Sequence, residues 1–221
     1  RLGRDYVPTF TIHSAFDPFG TNGVGSSIND FAGAYTTGLG GATAVRSNNS
    51  IAYHLPAMGG LYGQAMYGIK EAASGLNSDS DYLGVRIGYR AGPLDVALAT
   101  ASEGTGAAGS NPKRSNIGAS YDLGFVKPMF QYTTADRTGA NDVSNTLLGL
   151  TAPVGPGLLR ASYVVMDVDN VGDAKQFALG YTYPLSKRTS INANFARTSA
   201  DAANIEKTSK IGRDGQHQKR K

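Results

Sequence analysis

The stretch that decides the fold reads LGVRIGYR and runs from Leu83 to Arg90. Its apolar side chains stand at every second position, and the positions between them hold only Gly and Arg. A period of two is typical of a β-strand with one apolar and one polar face. The same alternation recurs from Val45 onward, and no segment shows a helical period of useful length. Together with a segment before residue 11, the sequence predicts about eleven strands.

The connections between these strands alternate between short and long. Short connections are expected at 56–60, 91–92, 123–124, 154–157 and 186–188, and long ones at 71–81, 102–113, 134–144, 167–175 and from 199 onward. Most acidic residues of the body fall in or beside the long ones, and Tyr and Phe recur on the apolar faces toward the strand ends. Membrane barrels have tight turns on one side, long loops on the other and aromatic girdles at both interfaces. The pattern therefore predicts an all-β fold, an antiparallel up-and-down transmembrane β-barrel.

The composition excludes several classes of protein. The 221 residues include no Cys, so neither a disulfide framework nor a thiolate metal site is expected. No run of about 18 apolar residues is present, which excludes a transmembrane helix but not a membrane barrel. The first residues, from Arg1 to Asp5, do not form the apolar region of a signal peptide.

The net charge of +4 comes from the end of the chain. Six of the 21 basic and two of the 17 acidic residues lie in 206–221, which leaves 15 of each in residues 1–205. We therefore expect residues 1–205 to form a partial barrel and residues 206–221 to be a polar, basic, disordered tail. A neutral body gives no reason to expect nucleic acid as a partner.

A long segment from Thr11 to Ala44 interrupts the alternation. It is rich in Gly and Thr, carries only the acids Asp17 and Asp30, and follows residues 6–10, which resemble the end of a strand. A loop of this length is uncommon in a compact domain unless it is functional. The sequence therefore marks residues 11–44 as the candidate functional loop.

The polar faces of the predicted strands carry more cations than anions. If the strand registers are right, the inward cations are Arg46, Lys70, Arg86, Arg90, Arg114, Lys127 and Arg160. The inward acids are Asp95 and Asp122, each near a short turn. An excess of Arg in a narrow lumen raises the local anion concentration, which predicts a weak anion preference. The alternative is that these are wet lumen residues that pair with loop acids and give no selectivity.

No motif supports enzymatic chemistry, a metal site or a cofactor. Residues 104–109 read GTGAAG, but Ser110-Asn111-Pro112 follows where a nucleotide-binding helix would have to begin. Residues 167–172 begin like a calcium loop, yet Ala178 stands where the bidentate Glu is needed. The three His residues are scattered, so neither a zinc site nor a catalytic triad is expected.

Four runs of the sequence resemble the general Gram-negative porins, particularly those of β-proteobacteria. They are residues 2–6 (LGRDY), 17–20 (DPFG), 46–53 (RSNNSIAY) and 180–189 (GYTYPLSKRT), and the resemblance extends over about residues 2–204. It implies a homotrimer of barrels of about sixteen strands, each a passive diffusion channel for small anions and hydrophilic solutes. It also implies contact with outer-membrane lipid and lipopolysaccharide.

The resemblance further implies roles for individual residues. Residues 11–44 would be the loop that folds into the lumen and constricts the pore, with Asp17 on its acidic side. Arg46 would be a wall arginine that faces this loop. Apart from the resemblance, we also expect the inward Arg86 and Arg90 and the loop acid Asp30 to lie at the constriction. Arg4 would lie at a contact near the trimer axis.

The chain departs from the family pattern at both ends. About eleven of about sixteen strands are present, and the expected N-terminal strands and the aromatic-terminated closing strand are not recognised, so we interpret the chain as a porin fragment. Two alternatives are a soluble all-β binding protein and a different outer-membrane barrel, such as an enzyme or an adhesin. The last class would need a Ser/His/acid cluster or a large extracellular insert, and the sequence shows neither.

Overall fold

The chain folds into one antiparallel sheet of twelve strands, arranged in sequence order from β1 to β12. The structure, a computed structural model, describes residues 1–28, 45–56, 58–69, 82–103, 113–136, 141–200 and 209–217. The elements are β1 (Leu2–Tyr6), α1 (Pro8–Phe16), β2 (Arg46–His54), β3 (Leu61–Gly68), β4 (Tyr82–Ala91), β5 (Leu94–Glu103), β6 (Lys113–Tyr121), β7 (Lys127–Asp136), β8 (Val143–Val154), β9 (Gly157–Val168), β10 (Gly172–Ser186), β11 (Thr189–Ala200) and β12 (Ser209–His217). The eleven strands expected from the sequence are β1 to β11. No ladder joins β1 to β12 within the described residues, so the sheet is open.

All five predicted short turns are confirmed. At four of them a glycine adopts a left-handed conformation that other residues rarely take: Gly59 (φ 56°), Gly92 (φ 53°), Gly124 (φ 84°) and Gly155 (φ 57°). The connections at 92–93 and 155–156 have only two residues, and left-handed turns of this length match the twist of paired strands. The long connections predicted at 71–81 and 102–113 lie wholly or mostly outside the described residues, and so do residues 137–140 of the connection predicted at 134–144.

One prediction about the second half of the chain is wrong, and another stays a prediction. Residues 167–175 are not a long loop, because β9 and β10 continue into this range and only three residues join them, with Asn170 at φ 61°. The described residues 209–217 of the predicted tail form β12, which pairs with β11 from Arg197↔Ser209 to Thr189↔His217, whereas the disorder expected of residues 206–221 as a whole stays a prediction. Both segments are polar, and polarity at the end of a membrane strand does not exclude pairing.

The two faces of the sheet are opposite in character. Large apolar side chains point outward and are exposed, as Leu83 (58%) and Ile87 (50%) show. The inward face is lined by small and polar side chains, such as Ala97, Ala178 and Thr133. Hydrophobic residues on the outside are the reverse of a soluble protein and suit a surface that meets lipid. The alternation predicted from the sequence is therefore confirmed for β3 to β11.

A helix that the sequence analysis missed follows β1. Residues 8–10, read there as the end of a strand, are helical, and so are Thr11 to Phe16 at the start of the predicted loop. Pro8 occupies the first helical turn, where its missing N–H costs nothing, and Pro18 stands two residues after Phe16, the last residue of the helix. The nine-residue helix is too short to be stable alone. Among the described residues, no helix has the length and apolar character needed to cross a membrane.

Candidate functional site

Residues 7–28 run across the inward face of the sheet, and we call them the crossing segment. At its start, Val7 packs with Ala52 and Met66 on β2 and β3. At its far end, Phe19 packs with Ala178 and Ala196 on β10 and β11. The segment therefore spans most of the described sheet and fills part of the space that the sheet encloses.

Helix α1 is seated on β5, β6 and β7. Its buried residues Ile12 and Phe16 lie one turn apart and pack against Ala97 and Ala99 of β5. On the adjacent side, Asn116 Nδ2 of β6 donates to the Thr9 carbonyl oxygen over 2.8 Å. Small wall residues thus provide room for the helix, and a wall amide fixes its position along the strand.

His13 is a buried polar contact between α1 and the wall. Its Nδ1 lies within hydrogen-bonding distance of Gln131 Nε2, and its Nε2 lies 3.4 Å from Thr133 Oγ1. Burial, and then the positive charge of Arg114, lower the pKa of His13 to about 3. His13 is therefore neutral at physiological pH and acts as a hydrogen-bonding residue of the helix seat.

Asp17 holds the turn that follows α1. Its Oδ1 accepts the Phe19 N–H over 2.8 Å, and its Oδ2 accepts the Ser27 N–H and Ser27 hydroxyl, each over 2.9 Å. The hydroxyl of Ser26 is a fourth donor, at 3.3 Å. Burial raises the pKa of Asp17, and the four hydrogen bonds oppose that rise. Asp17 is 3% exposed, so its first role is to close the loop on itself.

A cluster of charges lies on the inward face beside the turn between β4 and β5. Arg90 Nε donates to Asp95 Oδ2 over 2.9 Å, and the Tyr62 hydroxyl donates to Asp95 Oδ1 over 2.7 Å. The guanidinium carbons of Arg86 and Arg90 lie 5.4 Å and 5.5 Å from the centre of the Tyr62 ring. The aromatic ring thus supports two cations, and Asp95 is occupied by one of them.

Arg160 lies on the inward face of β9, across the sheet from that cluster. Its Nη2 donates to Thr182 Oγ1 over 2.7 Å, and the Thr182 hydroxyl donates to Asn192 Oδ1 over 2.7 Å. Arg160 also interacts electrostatically with Asp17. Among the described residues no ion pair joins the two, so Arg160 is a wall arginine within electrostatic range of Asp17 that is not neutralised by it.

The predicted register is wrong at Arg46. Asn49 has a left-handed φ of 44°, and the pairing of β1 with β2 shifts between Gly3↔Ser50 and Asp5↔Ser47. This bulge makes the buried Ser47, and not Arg46, continue the inward face from Ser50. The guanidinium carbon of Arg46 lies 4.4 Å from the centre of the Tyr6 ring, and its Nη2 donates to the Tyr6 hydroxyl.

The remaining predicted residues are scattered. Arg114 is buried beneath α1, Lys127 is partly buried on the inward face of β7, and Arg4 is exposed in β1. Asp122 is exposed in a short turn and accepts the Gly124 N–H. Asp30 and Lys70 lie outside the described residues.

Four contributors to the site were not anticipated: His13, Tyr62, Thr182 and Asn192. Three of them are uncharged inward residues of the strands, which alternation alone cannot distinguish from other inward residues. Only the position of His13, one helical turn from Thr9 and Phe16, could have indicated a buried helix face.

Comparison with known proteins gives a consistent result. The family model described as Gram-negative porin matches residues 1–203. Outer membrane porin protein 32 of Delftia acidovorans is 34% identical over 209 residues, which cover 89% of this chain and 58% of that protein. An outer membrane porin of Bordetella pertussis is 26% identical and covers 81% of this chain and 57% of its own length. The chain thus spans a little over half the length of these curated relatives.

Solved structures show the same architecture. An anion-selective porin from Comamonas acidovorans superposes with a TM-score of 0.80 at 29% identity, over 97% of this chain and 68% of that one. OmpT of Vibrio cholerae in a trimer form superposes with a TM-score of 0.70 at 15% identity, over 96% of this chain and 71% of that one. The second likeness is one of fold alone.

Proposed function

Because the chain belongs to the Gram-negative porin family, we propose that the protein is a passive diffusion channel of the outer membrane. Small hydrophilic solutes and ions cross through it, with a weak preference for anions. The crossing segment, which contains the described part of the predicted loop, narrows the pore. Family membership does not fit a soluble binding protein, and the relatives point to a channel and not to an enzyme.

The proposed anion preference rests on the balance of charges on the inward face. Two inward acids, Asp17 and Asp95, are each engaged by several donors. Among the described residues, neither Arg86 nor Arg160 has an ion pair with a carboxylate. Positive charge that is not neutralised in a lumen with low-dielectric walls attracts anions. The likeness to an anion-selective porin also supports a preference for anions.

Other residues take supporting places in this proposal. Arg90, Lys127 and Arg114 add positive potential along the wall. Arg46 contacts the Tyr6 ring, which stacks on Phe10 of α1 with 5.1 Å between ring centres, so it supports the start of the crossing segment and is not placed in the pore lining. Asp17 acts mainly by shaping the loop.

We extend the proposal to assembly and surroundings. The protein forms a homotrimer, by analogy with the trimer form of Vibrio cholerae OmpT, with Arg4 near the threefold axis. The exposed apolar face meets outer-membrane lipid and lipopolysaccharide. The molar mass of the detergent-solubilised protein, measured by light scattering, tests the assembly, and a monomer would contradict it.

The reversal potential of single channels in a planar bilayer with a KCl gradient tests the anion preference. The protein is made from the complete reading frame that encodes this chain. We expect the wild-type reversal potential to have the sign of an anion-preferring channel. In the double variant Arg86→Gln/Arg160→Gln, the reversal potential should shift toward that of a cation-preferring channel. Arg197→Gln is the matched control, because Arg197 alternates with the buried Ala196 and points outward. A cation-preferring wild-type channel, or an equal shift in the control, would contradict the proposal.

A further inference from the structure

We infer that three glycines of the wall, Gly118, Gly149 and Gly180, are seats that set how far the crossing segment stands from the wall. They therefore act as positioning residues that determine the width of the pore. This inference rests on the proposed channel function. The seats lie on alternate strands, β6, β8 and β10, and all belong to the inward face.

Each glycine meets a ring of the crossing segment. A Cβ built on Gly118 would lie 2.2 Å from Cδ2 of Phe16. On Gly149 it would lie 2.4 Å from Cγ and 2.7 Å from Cδ of Pro18. On Gly180 it would lie 2.7 Å from Cε1 of Phe19 and 2.4 Å from the wall amide oxygen of Asn194. The rings of residues 16, 18 and 19 thus rest directly on wall backbone.

Glycine is a poor strand residue, so three of them at the contacts of one loop need a reason. Glycine within a strand marks a place where another chain segment approaches closely. An alanine at Gly149 would force Pro18 away by about 1 Å to restore an ordinary contact of 3.4 Å. The wall is continuous sheet and the other side is lumen, so the crossing segment moves into the pore.

Gly149 offers the sharpest test, because the two closest atoms both belong to the Pro18 ring beyond its Cβ. Pro18→Ala removes those atoms. We therefore expect Gly149→Ala to lower single-channel conductance by roughly a fifth to a half, since conductance follows the radius of the narrowest point. The double variant Gly149→Ala/Pro18→Ala should conduct close to the wild-type level.

Gly63→Ala is the control for strain in the wall. Gly63 lies on the outward face, where an added Cβ would meet Leu55 and the backbone of Arg86 and not the crossing segment. It should leave conductance unchanged. Wild-type conductance in Gly149→Ala would overturn the inference, and so would a double variant that conducts no better than the single one. A wild-type protein that forms no channel would instead refute the proposed function.

An engineered disulfide tests whether residues 18 and 149 are adjacent, and this test needs neither a conductance measurement nor a folded Gly149→Ala variant. The chain has no cysteine of its own, so the pair Pro18→Cys/Gly149→Cys can form only one intramolecular bridge. We expect the bridge to form on mild oxidation, seen as a mobility change on a non-reducing gel. Pro18→Cys paired with Gly63→Cys on the opposite face should not form it. If the first pair does not form a disulfide in the folded protein, the inferred contact between Pro18 and Gly149 is wrong.

Discussion

Replacing Asp17 by Ala should open the loop that follows α1. The substitution removes the carboxylate that accepts the Phe19 and Ser27 N–H groups, and both residues are buried. A buried donor that loses its partner costs about 1–3 kcal/mol. Two such donors, and the two serine hydroxyls that can turn toward other acceptors, give a local destabilisation of about 3 kcal/mol.

Hydrogen exchange followed by mass spectrometry on peptides that cover residues 17–28 measures this change. A free energy of about 3 kcal/mol corresponds to roughly a hundredfold faster exchange of the Phe19 and Ser27 amides. Asp122→Ala is the matched control, because Asp122 also accepts the N–H two residues ahead, from Gly124, but is exposed. Water replaces that bond, so the cost should stay below about 1 kcal/mol.

The isosteric change Asp17→Asn separates charge from hydrogen bonding. Burial raises the pKa of Asp17, which means that its ionised form bears a desolvation cost. Asn loses that cost and keeps one acceptor oxygen, so its exchange rates should lie between those of the wild type and Asp17→Ala. Unchanged exchange in Asp17→Ala, or the same acceleration in Asp122→Ala, would refute this account of the loop.

Three further predictions concern the seat of the crossing segment and the wall. The pKa of His13 is lowered to about 3, so only the unfolded state takes up a proton between its ordinary pKa of 6.5 and that value. The free energy that keeps α1 folded should therefore be greatest above pH 6.5 and fall by about 2 kcal/mol by pH 5. Hydrogen exchange of the α1 amides, measured as a function of pH, tests this fall, and His13→Gln should remove most of the pH dependence. Phe19→Ala should destabilise the far end of the segment by about 3–5 kcal/mol, because Phe19 is 2% exposed; proteolysis within residues 17–28 should accelerate, and equal resistance to protease would count against it. Asp95→Ala should lower the free energy of unfolding in urea by about 1–3 kcal/mol, mostly through the hydroxyl of Tyr62. Arg90→Ala should cost less than about 1 kcal/mol, because the Arg90 side chain is 66% exposed and the buried Asp95 keeps the Tyr62 hydroxyl as a donor.

Alternation predicted the wall well because it needs only a period of two. It placed Arg86, Arg90 and Asp95 on the inward face, where the structure has them. It failed at Arg46, since one extra residue in a strand reverses every side chain beyond it. The Asn48-Asn49 pair is the only local sign of that bulge, and Asn tolerates the left-handed conformation that Asn49 adopts.

The crossing segment was harder to predict, because its structure depends on the wall. Helix α1 has nine residues, and its buried face includes Pro8, Thr9 and His13 as well as two apolar residues. Such a face gives a weak helical period, and the helix is stabilised by Ala97, Ala99 and Asn116 of distant strands. The length of residues 11–44 alone marked them as a candidate functional loop, whereas the conformation of the described part, residues 11–28, could not be predicted.

The inward face serves two purposes, and its composition divides accordingly. Where the crossing segment rests, the wall carries Ala and Gly, as at Ala97, Ala178 and Gly149. Toward the short turns the same face carries charge, as at Arg90 and Arg160. Small residues let the segment approach closely, while arginines beside it keep a positive potential in the space that remains. Under the proposed channel function, pore width and pore charge depend on different wall residues. Gly149→Ala should therefore change conductance with little effect on reversal potential, and Arg160→Gln should do the opposite.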